Sequence, residues 1–271
     1  MTRERDALIN RLRHIKMFVL DMDGTIYLGE RLFPFTVGFL ERVQAVGKDF
    51  CFFTNNSSKN REAYLEKLGR MGIEIPAEKM MISNSVILEW LLENHPGERA
   101  YVVGTPLLLE DFQKAGVALD ATDPDYVVLG FDTTLTYEKL SKACGFVRAG
   151  KPIFGVNPDF NCPVENGFIP DCGSMAALVK ASTGVQCEFF GKPSRHTLSY
   201  LLRRTGCRES ELAVIGDRLY TDIAVAAGTE VTSILVMSGE TTPALLAASD
   251  VQPDFTVRDL GELTELLSEN L

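Results

Sequence analysis

The sequence predicts an α/β protein built on a doubly wound parallel sheet, with a second, smaller α/β domain inserted into it. Three observations predict this. Short apolar runs alternate with helical patterns along the chain, as expected for strands covered on both faces. Several runs stop at a polar residue. The alternation also begins afresh in the middle of the chain, with its own runs and helices.

Residues 1–13 are charged and read as a helical extension. Ile15 to Leu20 is an apolar strand that stops at Asp21, and Phe50 to Phe53 is another that stops at Thr54. Arg61 to Met71 has a helical pattern. In the middle, Ala100 to Val103, Tyr126 to Gly130 and Pro152 to Val156 read as strands, and Leu107 to Ala115, Tyr137 to Ala149 and Ser174 to Ser182 as helices. His196 to Thr205 follows as a helix. Leu212 to Ile215 is a strand ending at Gly216-Asp217, and Ser233 to Val236 and Asp254 to Val257 complete the sheet. The inserted domain is placed at 80–181, which leaves 1–79 together with 182–271 as the core. No Gly/Ser-rich linker marks the boundaries.

The chain has 271 residues, 45% hydrophobic and 24% charged, with a formal net charge of −10. This acidic balance argues against nucleic acid or an anionic membrane as partner. It leaves room for a small phosphorylated metabolite, because one lysine or a metal ion reverses the sign locally. No apolar run reaches the length of a membrane span, and the charged start lacks the apolar stretch of a leader, so none is expected. The six cysteines are scattered without a Cys-x-x-Cys pair and there are three histidines. Structural zinc is not expected, and free thiols suit a reducing cytoplasm.

In doubly wound sheets ligands sit outside the carboxyl ends of the strands. Asp21, Thr54 and Asp217 are all expected there, and so to converge despite their separation in sequence. Asp21-Met22-Asp23-Gly24-Thr25 sets two carboxylates one residue apart past a strand, with Gly24 permitting a turn. One carboxylate can attack phosphorus while the other handles protons. Thr54-Asn55-Asn56-Ser57-Ser58 offers backbone N–H groups and a hydroxyl to a phosphate, with Ser57 or Ser58 capping the next helix. In Gly191-Lys192-Pro193-Ser194, Lys192 offsets phosphate charge and Pro193 suits the first turn of a helix. Gly216-Asp217-Arg218-Leu219-Tyr220-Thr221-Asp222 places Asp217 as a ligand for Mg²⁺, with Asp222 as a second ligand or an outer acceptor.

These four segments, in this order, resemble the haloacid dehalogenase superfamily of phosphohydrolases, over nearly the whole chain after residue 14. Asp21 to Thr54 is 33 positions (54 − 21), and Thr54 to Lys192 is 138 (192 − 54). A large insert between the second and third motifs resembles subfamily IIA, the NagD-like and para-nitrophenylphosphatase-like group, as do Thr54-Asn55-Asn56-Ser57, Asn157-Pro158-Asp159 and Gly191-Lys192-Pro193-Ser194.

The resemblance implies a Rossmann-like core with an α/β cap at 80–181 that sets specificity. It implies Asp21 as nucleophile and Mg²⁺ ligand, and Asp23 as general acid, then base, lending its backbone carbonyl to the metal. It assigns Thr54 with the Asn55 and Asn56 backbone to the phosphate, Lys192 to phosphate and Asp21, Asp217 to the metal and Asp222 to support. Asp23 favours phosphatase over dehalogenase chemistry, since dehalogenases of the superfamily lack an acid there. A cap loop, Asn157 to Pro163 with Asp159 in it, is expected over the pocket. Cys162 stands where some members carry a substrate-binding histidine, and either lines the pocket or is an inert thiol. Trp90 is read as core and His196 as helix surface. The implied product is an Mg²⁺-dependent phosphatase of small phosphomonoesters working through an aspartyl-phosphate, and relatives favour a homodimer. The alternatives are a phosphotransferase or mutase using the same nucleophile, and a binding regulator without turnover.

Overall fold

The computed structural model describes residues 2–164 and 167–270. A six-stranded sheet has the order Phe255–Val257, Thr232–Val236, Leu212–Gly216, Met17–Leu20, Asp49–Thr54, Met80–Ile82. Met17–Leu20 lies at its centre, parallel to both neighbours, with Leu20 opposite Ile215 on one side and Phe52 on the other. Phe18, Val19, Phe52, Phe53, Val214 and Ile215 are buried. Parallel strands covered on both faces read as continuous apolar runs, which is why they were legible.

The helical extension forms as expected over Thr2–His14. It buries Leu8 and Leu12 and packs against the C-terminal helix Leu260–Asn270. That helix also packs against Thr36–Ala45, a helix the sequence reading did not identify. The short strand Met80–Ile82 was missed as well, since three residues carry too little pattern.

The inserted region forms a five-stranded sheet ordered Glu188–Phe189, Ile153–Gly155, Tyr126–Leu129, Arg99–Val103, Ala118–Leu119. Its neighbouring strands are parallel. Its core joins Val103, Val127 and Leu129 to Ala143 and Val147 of the helix Tyr137–Arg148 and Met175 and Val179 of the helix Cys172–Thr183. Local chemistry sets these helix ends. The Thr136 hydroxyl accepts from the Lys139 N–H and the Asp171 carboxylate from the Cys172 N–H, and Gly184, at φ 78, stops the second helix in the left-handed region. A hairpin of Asn161–Val164 and Gly167–Pro170 stands apart from the main sheets.

By compactness the chain divides into residues 1–53, 65–81 and 198–271 in one unit, and 54–64 and 82–197 in the other. The expected boundaries were 80 and 181. The segments 54–64 and 182–197 group with the inserted sheet because Asn55 is hydrogen-bonded to both Lys192 and Asp159.

Candidate active site

In the first unit the carboxylates of Asp21, Asp217 and Asp222 come together, with one ligand oxygen from each lying within 4.8 Å of the others. Asp21 directly follows Leu20 at the end of the central strand, and Asp217 directly follows Gly216 on the neighbouring strand. Asp222 arrives from a π-helical turn, Leu219–Ile223, where its carboxylate accepts from the Arg218 N–H at 3.0 Å. Asp21 is partly exposed while Asp217 and Asp222 are buried. Asp23 is partly exposed and contributes no side-chain oxygen to this cluster.

Asp217 is held from several sides. Its Oδ2 accepts from the Glu240 N–H at 2.6 Å, and its carbonyl accepts from the Thr241 N–H at 3.2 Å and the Thr241 hydroxyl at 2.5 Å. Its Oδ1 is buried with no hydrogen-bond partner among the described residues. An unpartnered buried carboxylate oxygen is costly unless a cation meets it. Burial first, then the charges of Asp21 and Asp222, push the Asp217 carboxyl well above its usual range. The donor set is all oxygen and densely anionic, which fits a hard divalent cation.

Gly24 has a second role beyond turning the chain. It sits at φ +88, and a Cβ there would overlap the Asp217 carboxylate. Ser238 donates to the Gly24 carbonyl at 2.7 Å. The segment Ser238–Thr241 thus fixes both Gly24 and Asp217, and the sequence reading missed it. Its signal was available: it follows the carboxyl end of the strand Thr232–Val236.

In the second unit, Thr54 opens a polar turn. Its Oγ1 accepts from the Asn56 N–H at 3.2 Å, and the Asn56 side-chain oxygen accepts from the Ser58 N–H at 3.1 Å. The following helix begins only at Arg61 and its cap is Asn60, which accepts from the Ala63 N–H. The expectation that Ser57 or Ser58 caps it is corrected. Ser57 instead donates to Asn157 at 2.7 Å and accepts from the Phe131 N–H at 2.8 Å. The N–H groups after Thr54 therefore belong to a turn rather than a helix terminus.

The Asn55 amide accepts from the Lys192 N–H at 2.8 Å and donates to the Lys192 carbonyl at 2.9 Å and to Asp159 at 2.8 Å. Asn157 donates to Asp159 at 3.1 Å and Asp171 at 3.0 Å. Lys192 is 2% exposed. A Cβ at Gly191 would meet the Asn55 Oδ1 at 2.7 Å, so this approach needs glycine. Pro193 follows a cis peptide bond and stands ahead of Ser194, whose hydroxyl accepts from the His196 N–H, so it lies outside the helix Arg195–Thr205.

Of the three residues expected in a loop over the pocket, Asn157 and Asp159 are buried in this network. Cys162 sits on the hairpin, partly exposed, and its Sγ accepts from the Asn56 side-chain amide at 3.6 Å. Trp90 packs its ring 4.8 Å from Phe190, and His196 stacks on Phe190 at 4.4 Å, both in structural roles.

The family model for haloacid dehalogenase-like hydrolases matches residues 18–118, and a second, for HAD-hydrolase-like proteins, matches residues 189–263. The acid sugar phosphatase of Staphylococcus saprophyticus is 33% identical over 259 residues, covering 95% of this chain and 100% of the relative. The chain belongs to the haloacid dehalogenase-like hydrolases. Among solved structures, the 4-nitrophenylphosphatase of Thermotoga maritima superposes with a TM-score of 0.91 at 41% identity, covering 94% of this chain and 98% of that one. NagD of E. coli K-12 superposes with a TM-score of 0.84 at 26% identity, covering 92% and 98%. These neighbours place the chain in subfamily IIA of the haloacid dehalogenase superfamily. The first family match begins in the strand that delivers Asp21, and the second spans Lys192, Asp217 and Asp222.

Proposed function

We propose that this chain is a phosphatase of small phosphomonoesters that uses Mg²⁺ and a covalent phosphoryl group on Asp21. The observation that carries it is the cluster of Asp21, Asp217 and Asp222, with an unpartnered Asp217 oxygen buried inside it. Asp21 and Asp217, with the Asp23 backbone carbonyl, would hold the metal, and Asp222 completes the carboxylate group. When bound, Mg²⁺ neutralises charge on the transferring phosphoryl group.

The Asp21 carboxylate attacks phosphorus as the bond to the leaving oxygen breaks, and Asp23 gives that oxygen its proton. Asp23, now a carboxylate, takes a proton from the water that attacks phosphorus in the acyl phosphate. Phosphate leaves and the Asp21 carboxylate is restored. Thr54 and the backbone of Asn55 and Asn56 hold the phosphoryl oxygens, and Lys192 offsets their charge.

Relatives named acid sugar phosphatases favour a sugar phosphate as substrate, with nucleotides and similar monoesters as alternatives. Six free thiols support a reducing cytoplasm as its setting, and a homodimer is the proposed assembly. The test is release of phosphate from para-nitrophenyl phosphate with Mg²⁺. Wild type should turn over and a folded Asp21→Asn protein should not. Turnover by that variant would overturn the assignment. A panel of sugar phosphates and nucleotides ranked by kcat/KM identifies the substrate class.

A further inference from the structure

The first unit carries a cleft of about 490 Å³ at the amino-terminal edge of its sheet. Arg11, Arg13 and Lys16 reach it from the segment before the strand Met17–Leu20, Lys48 from before Asp49–Thr54, and Arg208 and Glu211 from before Leu212–Gly216. Lys16 and Asp21 stand at opposite ends of the same strand, so the cleft is on the other edge of the sheet from the carboxylate cluster.

The cleft is basic in a protein whose net charge is −10. Five Arg and Lys side chains line it against one carboxylate, Glu211. Glu211 is already engaged by Lys16 at 2.7 Å and Arg208 at 2.8 Å. Among the described residues, Arg11, Arg13 and Lys48 are paired with no carboxylate. Lys48 directs two of its three donors to the carbonyls of Ile15 at 2.5 Å and Arg13 at 3.4 Å, which holds its charge in place and leaves one donor. Burial lowers the Lys48 pKa. Gathering like charges in a concave site raises the potential for an anion there. The volume is that of a small-molecule pocket. No Phe, Tyr or Trp lines it, and His14 is the aromatic ring among its lining residues.

We propose that this cleft binds a diphosphate group, free or borne by a small molecule, as a second anion site distinct from the hydrolytic one. A group with several charges and oxygens can bridge Arg11, Arg13 and Lys48 at once, as guanidinium–phosphate geometry favours. The proposal stands independently of the role given to Asp21.

Titration calorimetry in EDTA tests it with two non-hydrolysable probes, methylenediphosphonate and its adenosine ester. Wild type should bind one equivalent, with affinity falling as salt rises. Tighter binding of the simple diphosphonate indicates a free diphosphate, and tighter binding of the ester a nucleoside-borne one. Arg11→Ser with Arg13→Ser should weaken binding at least tenfold and leave para-nitrophenyl phosphate turnover unchanged, whereas Thr54→Val should lower turnover and leave diphosphonate binding unaltered. Should that double variant not fold, Lys16→Gln with Arg208→Gln, both at exposed side chains, exposes the Glu211 charge and should weaken binding likewise. Affinity within twofold of wild type in the cleft variants, a loss that follows Thr54→Val instead, or no binding by wild type would each overturn the proposal.

Discussion

The side-chain amide of Asn55 brackets the backbone of Lys192, accepting from its N–H at 2.8 Å and donating to its carbonyl at 2.9 Å. A motif residue expected to hold phosphate through its backbone thus uses its side chain to position the lysine of another motif. Asn55→Ala leaves two buried backbone groups without these bonds, at a cost of about 1–3 kcal/mol in unfolding free energy. A displaced Lys192 should also lower kcat/KM roughly tenfold or more. Urea unfolding and steady-state rates check both. Unchanged values would separate Asn55 from Lys192 functionally.

Gly24 combines a left-handed backbone with close approach to Asp217. Gly24→Ala should cost about 1–2 kcal/mol for the backbone alone, and its methyl group should displace the Asp217 carboxylate. Metal-dependent turnover is then lost and excess Mg²⁺ does not restore it. Thermal melts and rate assays over a range of Mg²⁺ concentration read the two effects separately.

The raised pKa of Asp217 sets a pH dependence. A carboxyl raised in the fold favours the folded state while protonated, and that advantage is lost as pH rises from the unfolded value toward the folded one. In EDTA, Asp217→Asn should therefore be more stable than wild type at neutral pH, with the gap closing near about pH 4, the ordinary range for Asp. Adding Mg²⁺ should raise the wild-type Tm and leave the variant's unmoved. Melts across this pH range, with and without metal, are the measurement.

Thr241 donates its hydroxyl to the Asp217 carbonyl. Thr241→Val removes this support while keeping the side-chain shape. The Mg²⁺ concentration for half-maximal activity should rise about 10–100-fold, the usual effect of losing an outer-shell partner. An unchanged metal requirement would show that the segment Ser238–Thr241 does not orient Asp217.

Much of the core was legible because its signals are local. Ile15 to Leu20 and Leu212 to Ile215 are apolar runs with an acid just beyond, and the sheet brings Asp21 and Asp217 together at its carboxyl edge. Residues whose partners lie far along the chain were harder to read. Nothing near Asn157 or Asp159 announces Ser57 or Asn55, a hundred positions away. The part played by Glu240 and Thr241 depends on where the strand Thr232–Val236 ends beside Asp217. The sequence leaves Asp222 between second ligand and outer acceptor because a π-helical turn, which brings its carboxylate to the other two, has no clear sequence signature.

Acid quenching during turnover, followed by peptide mass analysis, tests the central claim most directly. The account predicts a peptide carrying one added phosphoryl group on Asp21, present with substrate and Mg²⁺ and absent from Asp21→Asn. Full turnover with no phosphorylated Asp21 peptide at any quench time, or with the phosphoryl group on another residue, would contradict it.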